Sequence, residues 1–90
     1  MKRQEILNSP HIELINSEGP ILVAHKTVDR QFYIFDQWKS FVAVFDEDIM
    51  TDFVNGKESI LDSKGRNWIY TELSEGMKPN TEKLNKFLYE

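Results

Sequence analysis

Apolar residues alternate with polar ones through the first half of the chain and recur at helical spacing in two later segments, so the hydrophobic pattern alone divides it into elements. "KRQEILN" predicts a short helix, closed by Asn8 and by the break before Pro10. In "HIELIN", Ile12 and Leu14 alternate with polar neighbours, and the turn cluster "SEGP" precedes the β-rich "ILVAHKTV". A rival reading runs one helix through this region, with Ser9 as its cap and Pro10 in its first position; the hairpin is preferred. "VDRQF" and "WKSF" each offer a place for a reversal, which leaves "QFYIFDQW" and "FVAVF" as further strands.

In "DEDIMTDFVNGK", Asp46 or Asp48 can cap a helix whose pairs Ile49/Phe53 and Met50/Val54 fall at i,i+4, and Asn55-Gly56 can end it. "SILDSKGRNWIYTE" reads as two strands joined by "DSKG", with Gly65 placed for a positive φ and Trp68 and Tyr70 on one face. The last segment, "KPNTEKLNKFLYE", starts at Asn80 or Thr81 as cap and carries Leu84, Phe87 and Leu88 along one stripe. The order is α-β-β-β-β-α-β-β-α. It predicts a single α+β domain over residues 1–90, an antiparallel meander sheet with flanking helices.

Two-residue loops at Asp29-Arg30 and Lys39-Ser40 pair Val28 with Gln31 and Trp38 with Phe41, and a turn over 17–20 pairs Asn16 with Ile21. Pleat alternation then puts Ile12, Leu14, Ile21, Val23, His25, Thr27, Phe32, Ile34, Asp36, Trp38, Phe41, Ala43 and Phe45 on a core face. The opposite face carries His11, Glu13, Ile15, Leu22, Ala24, Lys26, Val28, Gln31, Tyr33, Phe35, Gln37, Val42 and Val44, and it is too apolar for open water. A helix of the chain, a second copy or a partner protein must cover part of it.

Charge narrows the partners. Eleven Lys+Arg against fifteen Asp+Glu give a net charge of -4 and a pI near 5.1, with no basic stripe, which argues against nucleic acid. The absence of cysteine excludes disulfides, thiolate metal sites and cysteine nucleophiles and fits a reducing, cytoplasmic compartment. No apolar run is long enough for a secretion signal or a membrane span.

Candidate chemistry is sparse. The register above makes His25 and Asp36 diagonal neighbours on adjacent strands, with Trp38 nearby, a possible pocket for a small molecule or a minor enzyme. No serine stands in a nucleophile motif, no phosphate loop is present, and nothing calls for a cofactor. His11 and His25 lie on opposite faces in this register and lack metal-ligand spacing, so no metal is expected; a one-residue slip would bring them onto one face. "DEDIMTD" supplies Asp46, Glu47, Asp48 and Asp52 as helix-capping charge or as an acidic rim for a basic partner. The sequence therefore points to a protein-interaction module, binding a partner or itself through Tyr33, Phe35, Val42 and Val44.

Overall fold

The computed structural model describes residues 2–16, 20–73 and 81–90. Of the expected turn over 17–20, residues 17–19 lie outside the described residues, as does the segment over 74–80 with Asn80 as a cap, and Asn16 pairs with Pro20 instead of Ile21. Helix α1 (Arg3–Leu7) is followed by strands β1 (His11–Asn16), β2 (Pro20–Lys26), β3 (Phe32–Asp36) and β4 (Phe41–Phe45). Then come helix α2 (Glu47–Val54), the short strands β5 (Ile60–Leu61) and β6 (Asn67–Trp68), a single 3-10 turn (Tyr70–Glu72) and helix α3 (Thr81–Tyr89). The first four strands form an antiparallel sheet in the order β1-β2-β3-β4, and β5 and β6 form a separate ribbon, as the α+β reading requires.

Local chemistry accounts for the ends of these elements. The Asp46 carboxylate accepts from the Ile49 backbone N–H at 2.8 Å and starts α2, and Gly56, at φ 78°, lets the chain leave it after Asn55. Gly65, at φ 80°, turns β5 into β6 around Asp62. β6 ends at Trp68, earlier than the sequence suggests, and Tyr70 opens the 3-10 turn, where its ring meets Phe53 edge to face at 5.6 Å.

The registers differ from those expected. Both hairpins use three-residue loops: Thr27 N donates to Gln31 O around Val28, Asp29 and Arg30, and Asp36 N donates to Ser40 O around Gln37, Trp38 and Lys39. Each loop closes with a non-glycine residue in the left-handed region, Arg30 and Lys39, both at φ 60°. Such a residue costs about 1–2 kcal/mol of backbone strain. Asp36 offsets it in the second loop by accepting from Trp38 N at 2.9 Å and Ser40 N at 3.0 Å. In the first, the Arg30 side chain forks onto both carboxylate oxygens of Glu47 at 2.8 and 2.9 Å and donates to the carbonyls of Leu88 and Glu90, tying α2 and α3 to the hairpin. A glycine would relieve the strain and lose that clamp.

One extra loop residue turns β2 over relative to β3. His25 now stands opposite Tyr33, and Leu22 opposite Asp36, so Leu22 and Ala24 enter the core while Val23 and His25 face the other way. Three irregularities complete the rearrangement. Two in β1, at Glu13/Ile15 and Ile15/Asn16, accompany the burial of both Leu14 and Ile15. The third, between Ile34 and Phe35, packs Val42 against the core and puts Phe41 beside Tyr33 and Phe35. The core is built from Leu14, Ile15, Leu22, Ala24, Phe32 and Ile34 of the sheet, closed by Met50 and Phe53 of α2, Ile60, Tyr70, and Leu84 and Leu88 of α3.

Candidate functional site

Among the described residues, α1 is the helix that lies on the second face of the sheet: Ile6 is buried, and the Arg3 guanidinium lies over the Phe35 ring at 5.8 Å and donates to the Lys39 carbonyl. Five residues of helix cannot roof four strands, so the face divides into a part shielded by α1 and a part left open.

The open part is aromatic. Phe41 is 53% exposed and Val44 44%, and Tyr33 is half-buried between them, its ring 6.4 Å from that of Phe41. Phe35, expected to contribute, is only 4% exposed; it sits beneath Arg3 with the rings of Phe41 and His25 against it at 6.0 and 5.6 Å. Val42 belongs to the core side and leaves the candidate surface. Phe41, assigned to the core by alternation, takes its place. Of the acidic residues, Asp46 is occupied as the α2 cap and Glu47 by Arg30, whose hydrogen bonds hold the Glu47 carboxyl below its ordinary value, while Asp48 and Asp52 stay exposed.

The shielded part holds a cavity of about 320 Å³ lined by Leu7, His11, Glu13, Val23, His25, Phe35, Asp36, Gln37 and Lys39. The slip of β2 has brought the two histidines together as a directly opposed cross-strand pair, ring centroids 5.2 Å apart and tilted by 35°. The expected neighbourhood of His25 and Asp36 does not form as a pair. They point to opposite faces, because His25 pairs with Tyr33 and Asp36 with Leu22. Asp36 reaches the cavity margin, but its carboxylate is engaged by its own loop and by the Ser63 hydroxyl. Burial raises the Asp36 carboxyl, and those hydrogen bonds outweigh it and leave it below its ordinary value. Trp38 lies outside the lining, half exposed with the Lys64 ammonium over its ring at 4.5 Å.

His25 is buried in the wall of the cavity. Burial pushes its pKa below the ordinary 6.5, helped by the neighbouring His11 and opposed by the Ser9 carbonyl, which lies 3.2 Å from Nδ1. Because the folded value is the lower one, neutral His25 contributes stability that is full above about pH 6.5 and is lost as pH falls toward and through the folded value. Urea midpoints of the wild type should therefore decline on going from pH 7.5 to 5.5. His25→Gln should flatten that decline, and an unchanged slope in the variant would remove His25 as its source.

Among the described residues, no group of three or more His, Asp or Glu side chains is arranged to hold a metal ion. Nor is any helix among them long and apolar enough to cross a membrane. No family model matches the chain, and no curated protein or solved structure matches it either.

Proposed function

We propose that this protein is a small binding module that docks another protein chain, in the first instance a second copy of itself, through Tyr33, Phe41 and Val44. The observation that carries the reading is the exposure of Phe41 and Val44 side by side on a sheet face that the protein's own helix leaves open. Side chains of this kind, held on rigid strands, give contact area with little ordering cost.

Charge supports the second copy as occupant. Lys39 and Arg3 lie at the loop end of the patch, near Phe35, whereas Asp46 and Asp48 follow Val44 at its other end. Two such patches meeting across a two-fold axis, with their β4 strands antiparallel, bring the basic end of each onto the acidic end of the other. A copy is thus complementary even though each chain carries a net charge of -4. The reading takes the cytoplasm as the compartment, on the lack of cysteine.

The test is solution mass by light scattering over a concentration series at low and moderate salt. Concentration-dependent dimer, weakened by salt and abolished in Phe41→Asp and Val44→Asp variants that keep their circular dichroism, is the expected result. A single-chain mass throughout the series overturns self-association, and folded variants that associate as before overturn this surface. Phe35→Asp is not a suitable probe, since it puts a charge into a buried position. A second reading, a small-molecule binder, is favoured by the cavity over Val23 and Phe35, whose volume reaches the lower end of ligand pockets.

A further inference from the structure

The register slip that joined His11 to His25 has a chemical consequence. Lys26 N donates to Pro10 O at 2.9 Å, which makes residues 10 and 26 a hydrogen-bonded rung. The next rung, His11 opposite His25, is therefore of the non-hydrogen-bonded kind, in which facing side chains stand closest. We propose that His11 and His25 form a two-histidine chelate for a divalent transition-metal ion of the zinc, nickel or copper type.

Three observations support it. The Ser9 carbonyl can only accept, so Nδ1 of His25 carries a proton, and in the neutral ring Nε2 is left as the lone-pair nitrogen. A backbone carbonyl on the second ring nitrogen is the usual means of fixing a metal-binding imidazole. The ring spacing also fits. With a metal–nitrogen bond of about 2.0–2.1 Å, each ring centroid stands roughly 3.2 Å from the ion, and a tetrahedral angle then separates the centroids by about 5.2 Å. The rings are 5.2 Å apart. Finally, the adjoining cavity leaves room for water or a small ligand in the remaining coordination positions, for which the described residues supply no third His, Asp or Glu.

The surrounding charges are mixed. Glu13 lines the same cavity two residues along β1 from His11 and favours a cation, as Asp36 does at the margin, and Lys39 and Arg3 at the α1 side oppose it. Hard cations have no comparable affinity for an imidazole pair.

The experiment is calorimetric titration of the tag-free full chain with Cu²⁺, Ni²⁺ and Zn²⁺ at pH 7.5, with Mg²⁺ as control, alongside thermal melts at saturating metal. One ion per chain is expected, tightest for copper, with a raised melting temperature and no response to magnesium. His11 is exposed, so His11→Ala should fold normally and lose affinity by about tenfold or more. Binding should also weaken at pH 5.5, because protons compete with the metal for imidazole nitrogens. Absence of binding in the wild type, or binding that survives His11→Ala undiminished, overturns the site. Neither outcome depends on whether the chain dimerises through Phe41, which lies on the open part of the face.

Discussion

Asp62→Ala is expected to lower the unfolding free energy by roughly 3 kcal/mol, a large effect for a residue in a two-strand ribbon at the edge of the domain. Its side chain is fully buried and accepts from Lys64 N at 2.9 Å, Arg66 N at 3.0 Å, Arg66 Nε at 2.9 Å and Trp68 Nε1 at 2.8 Å. Hydrogen bonds to a charged group contribute about 1.5–3 kcal/mol each when isolated, but they share one carboxylate here and do not add. The Arg66 bond counts for little, since that side chain is 42% exposed and water replaces its partner. The loss comes from the two loop amides and from the Trp68 indole, whose N–H loses its acceptor against the core.

At about 4–8 °C per kcal/mol for a chain of this size, the melting temperature should fall by roughly 15 °C, with Asp62→Asn intermediate. The pH dependence gives a second signature. Burial raises the Asp62 carboxyl, yet the indole, amide and Arg66 interactions prevail and hold it below its ordinary 3.8. Stability from Asp62 is therefore complete above that value and lost as pH falls through the folded value. Wild-type and Asp62→Ala stabilities should converge in that acid range. A loss under about 1 kcal/mol at neutral pH, by urea unfolding, would mean that the ribbon does not depend on its carboxylate.

Much of the fold can be read from residue type, and the faults of that reading are specific. Asp46, Gly56, Gly65, the Ile49/Phe53 and Met50/Val54 pairs, and the stripe of Leu84, Phe87 and Leu88 each announce a local geometry through their own chemistry, and the element order follows. The registers do not announce themselves. Arg30 and Lys39 adopt positive φ in the place of a glycine or asparagine, and the reason for Arg30 is its grip on Glu47, Leu88 and Glu90, far along the chain. The hydrophobic pattern could not correct the slip, because β2 is apolar on both sides: Leu22 and Ala24 make as good a core edge as Val23 would. The site inherited the error. Plain alternation matches His25 with Asp36 instead of His11, and puts Phe41 inside and Val42 outside.

Phe53→Ala should be the most damaging single substitution, costing about 4 kcal/mol, and its contrast with Phe41→Ala separates core from the proposed docking face. Phe53 is fully buried on α2, its ring 6.5 Å from that of Phe45 and 5.6 Å from that of Tyr70, so it joins the sheet, the helix and the 3-10 turn. Removing it leaves a cavity that rigid strands on one side cannot collapse to fill. Phe41 has the same side chain but stands on β4, half in water, with the rings of Tyr33 and Phe35 beside it, so truncation there should cost about 1 kcal/mol or less. Equilibrium unfolding at a concentration where the chain is monomeric measures both. If Phe41→Ala proves as destabilising as Phe53→Ala, Phe41 is core and the docking surface loses its centre. If Phe53 alone is costly, stability does not account for the aromatic exposure of the second face, and the proposed docking surface keeps its centre.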